Sequence, residues 1–157
     1  MVVEAADIEA SVDRLVSVMA GERGILLPLL HALQDEFGHI PAHAVPVIAQ
    51  ALNLSRAEVH GVLSFYHDFR DRPAARHVVK LCRAESCQAR GGAAIEAALA
   101  ERLGVRMGGE SVDGKVALEP IYCLGLCAIG PNALVDDRPM ARIDAAAVDR
   151  IAAEMMA

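Results

Sequence analysis

His77-Val78-Val79-Lys80-Leu81 is a β-rich run that stops at Cys82, and Arg83-Ala84-Glu85-Ser86 separates that cysteine from Cys87. Branched and apolar residues in so short a run read as a strand. The chain changes character at this point. Behind the strand, Gly91-Gly92 precedes an Ala-rich helix at about 93–103, which Gly104 closes. Asp113-Gly114 is a hairpin-type turn ahead of Lys115-Val116-Ala117-Leu118-Glu119. Cys123 and Cys127 come next. Ala133-Leu134-Val135 and Pro139-Met140-Ala141-Arg142-Ile143 then bracket Asp136-Asp137-Arg138, which predicts a second hairpin, and a terminal helix runs from about Asp144 to Met155.

The order β-α-β, then β-β-α, predicts a thioredoxin-like arrangement. Upstream of residue 74 the pattern is helical instead. Ile8, Val12, Leu15, Val16 and Met19 recur at helical spacing over 7–20. Residues 25–37 form a second apolar segment, with Pro28 tolerated in its first turn and Gly38 as its stop. A third helix spans about 42–53. Ser55-Arg56-Ala57-Glu58 has the capping-box pattern, in which Ser takes a backbone N–H and Glu reaches back to the Ser N–H. The helix it opens is expected to run to Phe69, and Arg70-Asp71-Arg72-Pro73 ends it. The expected class is therefore α+β, with a helical bundle at 1–73 and a thioredoxin-like α/β domain at 74–157.

The chain has 157 residues and a formal net charge of −6, and it contains no basic run. Nucleic acid and anionic membrane surfaces are poor partners for such a surface. The longest uncharged stretch, Phe37 to Ser55, contains His39, Pro41, His43, Pro46, Gln50 and Asn53, so it is no membrane span. Met1-Val2-Val3-Glu4-Ala5-Ala6-Asp7 lacks the positive start and apolar block of a secretory signal. A cytoplasmic location is expected. No phosphate-binding loop, Gly-x-Gly-x-x-Gly fingerprint or Ser-His-Asp set is found, which argues against an independent nucleotide or catalytic site.

The four cysteines carry the chemistry. They are spaced Cys82-x4-Cys87, then 35 residues, then Cys123-x3-Cys127, and each pair follows an expected strand. A cytosolic chain of this size rarely uses cysteines for disulfides. A dithiol redox site would want Cys-x2-Cys, which is absent. A structural zinc takes short Cys knuckles, and the x3 pair fits that range better than the x4 pair. A [2Fe–2S] cluster needs two thiolates on each iron, so two separate pairs suit it. Such a centre is dianionic when oxidised and gains one further negative charge on reduction. It wants N–H donors and a dry lining, which loops near Gly91, Gly92, Gly125 and Gly130 could bring close. Leu124, Leu126, Ala128 and Ile129 could form the lining, or belong to ordinary core.

Leu81-Cys82-Arg83-Ala84-Glu85-Ser86-Cys87-Gln88-Ala89-Arg90-Gly91 and Cys123-Leu124-Gly125-Leu126-Cys127-Ala128-Ile129-Gly130-Pro131-Asn132-Ala133 resemble the NuoE family. This is the thioredoxin-like [2Fe–2S] subunit of NADH-dehydrogenase modules, the small partner of the flavin subunit. Gln34-Asp35-Glu36-Phe37-Gly38-His39-Ile40-Pro41 and Gly61-Val62-Leu63-Ser64-Phe65-Tyr66-His67-Asp68-Phe69 match as well, so the resemblance runs from about residue 20 to 157. Within the family, Arg83 to Ser86, Leu54 to Gly61 and Phe65 to Phe69 resemble the gamma subunit of NAD-dependent, molybdenum-containing formate dehydrogenase.

The resemblance implies that Cys82, Cys87, Cys123 and Cys127 ligate one [2Fe–2S] cluster. It implies a beta subunit carrying FMN, an NAD site and a [4Fe–4S] cluster, and an alpha subunit holding the molybdenum cofactor. This chain would then exchange one electron with the flavin and hold no substrate site. The same kind of subunit serves complex I and NAD-reducing hydrogenases. A zinc-stabilised interaction module is the reading from another class. Among the remaining features, Phe65, Tyr66 and Phe69 are expected to pack in the core, with an exposed anchor for the flavin subunit as the alternative. His39 and His43 read as solvated or capping, His60 and His67 as sharing a face of the fourth helix, Glu85 as solvent-facing, and Asp136-Asp137 as a turn without chemistry.

Overall fold

The computed structural model describes residues 4–156. Met1, Val2 and Val3, part of the stretch read for a secretory start, lie outside the described residues. Two compact units are present, the first ending at Pro73 and the second beginning at Ala74. Each has its own hydrophobic core.

The first unit holds four helices: α1 (Ala5–Val18), α2 (Leu26–Phe37), α3 (Ala44–Ala51) and α4 (Arg56–Phe65). Ile8 and Val12 of α1, Leu29, Leu30 and Leu33 of α2, Ile48 of α3 and Val59 of α4 meet in its core. Ser11 and Arg14 both bond to Glu36, which ties α1 to α2 on the outside. Gly38 closes α2 in the left-handed region at φ 76°, a conformation that glycine adopts without a Cβ clash. The capping box at Ser55 forms in full: Ser55 Oγ accepts from Glu58 N, and Glu58 Oε2 accepts from Ser55 N.

The fourth helix is shorter than its periodicity suggests. It stops at Phe65, and Tyr66 is extended at ψ 107°. The reason is tertiary. Gln34 of α2 donates to the Asp68 carbonyl and accepts from Arg70 N, while Ile40 N donates to the Arg70 carbonyl. These bonds draw 66–70 off the helix axis and across the end of α2. His67 thus lies beyond α4 rather than sharing a face of it with His60.

The second unit is a mixed five-stranded sheet in the order β2-β3-β1-β4-β5. Its strands are β1 (His77–Cys82), β2 (Gly109–Glu110), β3 (Val116–Ile121), β4 (Ala133–Val135) and β5 (Arg138–Met140). β1 and β3 are parallel, with Val79 opposite Leu118 and Cys82 opposite Ile121. The other pairings are antiparallel: β4 lies against β1 inside the sheet, and β2 with β3 and β4 with β5 form the two outer pairs. Val79 and Leu81 of β1, Val116 and Leu118 of β3, and Ala133 and Val135 of β4 share one core with Leu99 and Leu103 of α6 (Gly92–Leu103). Val148, Ile151 and Met155 of α7 (Ala145–Met155) complete it. The α+β class, with helices first and a thioredoxin-like sheet unit after them, is what the element order led one to expect.

Three short elements were not expected, one of them a 3-10 turn at Cys127–Ile129. α5 (Glu85–Ala89) is a single turn inside what reads as a loop, and β2 is two residues in a Gly-rich stretch without alternation. Among the described residues no helix is long and apolar enough to cross a membrane.

Candidate metal centre

Because β1 and β3 are parallel and in register, their carboxyl ends lie side by side. In open α/β sheets that edge is where loops converge on ligands. Cys82 is the last residue of β1, and Cys123 lies two residues past the end of β3. From Cys82 the chain turns through extended Ala84 into α5, which carries Cys87 back toward Cys82. Cys87 is therefore on a helical turn and not in a loop. Past β3, Cys123 adopts φ 75° and Gly125 the same value, and Cys127 opens a 3-10 turn, Cys127–Ile129. A cysteine in the left-handed region costs about 1 kcal/mol or more, and such strain gathers at functional sites.

All four sulfurs are brought together, as two pairs. Cys123 Sγ and Cys127 Sγ are 3.8 Å apart. The Cys82 and Cys87 thiols lie within hydrogen-bonding reach of one another, Cys87 feels the charge of Cys127, and Cys127 feels that of Cys82, which sets the pairs next to one another. Two thiolates on one tetrahedral metal at about 2.3 Å would be separated by about 3.8 Å, as the second pair is. Among the described residues no three His, Cys, Asp or Glu side chains converge on a single ion. Two adjacent pairs rather than one tetrahedron suit a two-metal centre better than a lone zinc.

The pairs differ in exposure. Cys82 and Cys87 are each 1% exposed, whereas Cys123 and Cys127 lie at the surface. Burial pushes the Cys82 thiol up, but backbone N–H groups of Ala84, Cys123 and Leu124 and the Cys87 thiol outweigh it, so its pKa is held below the usual thiol value. Burial raises Cys87, and its neighbour Cys82 adds to the rise. Cys127 is raised mainly by Cys123 beside it. Sulfurs this close resist collective ionisation until a cation neutralises them, and a bound metal deprotonates such thiols outright. The soft donor set, the paired spacing and the N–H groups aimed at Cys82 fit a [2Fe–2S] cluster.

The expected lining is only half realised: Leu124, Leu126 and Ile129 are half-buried and Ala128 is exposed. Glu85 faces solvent, as expected. Phe65 is 73% exposed and Tyr66 44% exposed, which corrects the core reading for both. Phe69 packs against the helical core and meets the His31 ring at a tilt of 48°, with 4.8 Å between centroids. Asp136 is no idle turn residue, since it accepts from Val78 N at 2.8 Å and lies 2.7 Å from His77 Nδ1. His39 is buried with its Nδ1 3.2 Å from the Phe37 carbonyl, rather than solvated. Sequence reasoning also missed Asn132, which is buried against the site. Its only signal was its place after Gly130-Pro131.

The family description "Thioredoxin-like [2Fe-2S] ferredoxin" matches residues 12–156. The chain belongs to this thioredoxin-like [2Fe–2S] ferredoxin family. Among its relatives, the NuoE-type component of the NADH-quinone oxidoreductase of Escherichia coli is 32% identical over 129 residues, 82% of this chain and 78% of that one. NADP-reducing hydrogenase subunit HndA of Solidesulfovibrio fructosivorans is 27% identical over 141 residues, 90% of this chain and 82% of that one. A solved NAD+-reducing [NiFe]-hydrogenase, in its air-oxidised state, superposes with a TM-score of 0.72 at 28% identity. That match covers 84% of this chain but only 23% of the hydrogenase chain. The resemblance to the NuoE family therefore holds.

Proposed function

We propose that this chain is the electron-transfer subunit of an NAD-linked dehydrogenase, with Cys82, Cys87, Cys123 and Cys127 holding one [2Fe–2S] cluster. The observation that carries this reading is the meeting of two thiol pairs at the carboxyl ends of parallel β1 and β3. A cluster bound there supplies one-electron redox chemistry. The chain's own residues set the conditions. Cys82 and Cys87 hold the sheltered half, and the N–H groups of Ala84, Cys123 and Leu124 offset negative charge on Cys82. Cys123 and Cys127 present the half at which an electron enters or leaves.

A nicotinamide passes two electrons as hydride, so a one-electron carrier needs a flavin between them. The reading therefore includes a beta subunit with FMN, an NAD site and a [4Fe–4S] cluster. The names of the relatives, one part of an NADH-quinone oxidoreductase and the other of an NADP-reducing hydrogenase, support that company. The assembly proposed is a cytoplasmic formate dehydrogenase, with this chain as gamma and a molybdenum-containing alpha subunit. The wording of Arg83-Ala84-Glu85-Ser86 between the first two ligands supports it. The relatives' names favour a second reading, the same subunit in complex I or an NAD-reducing hydrogenase.

Iron and acid-labile sulfide on the anaerobically purified chain, with EPR after dithionite, test the cluster. Two of each and a rhombic S = 1/2 signal are expected. Zinc without sulfide overturns the reading. Metal analysis of the native complex then separates the assemblies: molybdenum supports formate dehydrogenase, whereas nickel or a membrane arm excludes it.

A further inference from the structure

Cys82 and Cys87 are each 1% exposed, and part of what covers them is the loop that carries the second pair. Backbone N–H groups of Cys123 and Leu124 close over Cys82. Gly130, at the far end of that loop, comes so near that a Cβ there would lie 3.2 Å from Cys87 Sγ. Cys123 and Cys127 themselves lie at the surface. A metal species that approaches the centre from solvent therefore meets the outer pair first.

The outer pair is also held ready to take it. Its sulfurs are 3.8 Å apart, the spacing of two thiolates on one tetrahedral metal. Cys123 and Gly125 both sit at φ 75°, and Gly125 N donates to Cys123 Sγ at 3.4 Å. Three side chains hold the rest of the loop by its carbonyls. Ser86 Oγ reaches the Cys127 carbonyl at 3.5 Å, Arg90 Nη2 the Ala128 carbonyl at 3.3 Å, and Asn132 Nδ2 the Leu126 carbonyl at 2.8 Å. Ligands ordered in advance lose less freedom when the metal arrives. Tyr122, next to Cys123, is 68% exposed and offers an incoming partner an aromatic ring beside the thiols.

We propose that Cys123 and Cys127 are the landing site for a [2Fe–2S] cluster handed over by a donor that holds it on thiolates. This rests on the ligand reading above. The two thiols displace two donor thiolates from one iron. Two Fe–S bonds to the donor break, two Fe–S bonds to the chain form, and each incoming thiol passes its proton to a departing thiolate. Cys82 and Cys87 repeat the exchange at the second iron. The irons and sulfides transfer together, and no electron moves.

A glutathione-ligated [2Fe–2S] complex, mixed anaerobically with the thiol-reduced full chain and followed by visible circular dichroism, tests this order. With Cys82→Ser and Cys87→Ser together, capture should proceed at the native rate. It should stop at a chain bearing the cluster and two glutathiones, as read by native mass spectrometry. With Cys123→Ser and Cys127→Ser together, the capture rate should fall by about tenfold or more, because the inner thiols react only when the loop opens. Capture at the native rate by the second double variant, or slowing of the first as much as the second, overturns the inference and leaves the ligand reading standing. A native chain that binds no cluster even from iron and sulfide salts overturns both. Should a variant fail to fold, the native chain quenched early with iodoacetamide decides instead. The species carrying the cluster and two glutathiones is expected to be unalkylated at Cys123 and Cys127. Alkylation there, or the absence of that species, overturns the inference.

Discussion

A methyl group at residue 92 would lie 2.8 Å from the Cys87 carbonyl oxygen and 3.0 Å from Gln88 Nε2. Replacing a helical glycine by alanine ordinarily stabilises by about 0.5–1 kcal/mol. At Gly92 the obstacle is backbone of the α5 turn, which cannot rotate away. Gly92→Ala is therefore expected to destabilise the sheet unit by about 1–3 kcal/mol, as read by urea unfolding. Asp136 allows a prediction of opposite character. Burial raises its carboxyl, but the bonds from His77 and Val78 N–H more than compensate, and its folded pKa lies below the ordinary 3.8. A depressed folded pKa gives stability that is present above the unfolded value and is lost as pH falls from about 4 through the folded value. Asp136→Asn keeps an acceptor without a charge, so it should flatten the acid limb of a stability curve and leave its slope near neutral pH unchanged.

At the scale of elements, Ser55→Ala should cost about 1 kcal/mol, measured by thermal unfolding, since it removes the cap of α4. That cap was legible because its four residues are contiguous. The other end of α4 was not, because Gln34, more than thirty residues upstream, decides it. The same distinction runs through the sheet unit. β1 and β3 stand out in the sequence as apolar runs, and α7 as an amphipathic segment with Asp144 at its cap, where Oδ1 accepts from Ala147 N. β2 has no side-chain pattern and exists because Gly109 and Glu110 pair with Leu118 and Ala117. The cysteines were legible as a set through their spacing and the strands before them. Asn132 was not, since its meaning lies in three partners that become neighbours only after folding.

At the scale of the molecule, the two units have separate cores with no residue in common. Leu30 and Leu99 are fully buried, one in each. Leu30→Ala and Leu99→Ala should each lower stability by about 2–5 kcal/mol. They should differ in what is lost first. Visible absorbance of the cluster followed through a melt is expected to survive the early transition in Leu30→Ala and to vanish with it in Leu99→Ala.

The unequal shelter of the two thiol pairs also sets the order in which air damages this protein. Cys82 and Cys87 lie under the surface, whereas Cys123 and Cys127 meet dissolved oxygen and chelators directly. In the metal-free chain, two thiols 3.8 Å apart need only a small approach to reach the roughly 2 Å of a covalent S–S bond. They give up two electrons and two protons to dioxygen as that bond forms. Mass spectrometry of aerobically aged chain should find the Cys123–Cys127 crosslink before any bond involving Cys82 or Cys87. Ageing would then begin as a closed clasp on the outer loop, while the inner pair keeps its thiols and could still be reloaded after a reducing agent reopens the outer one.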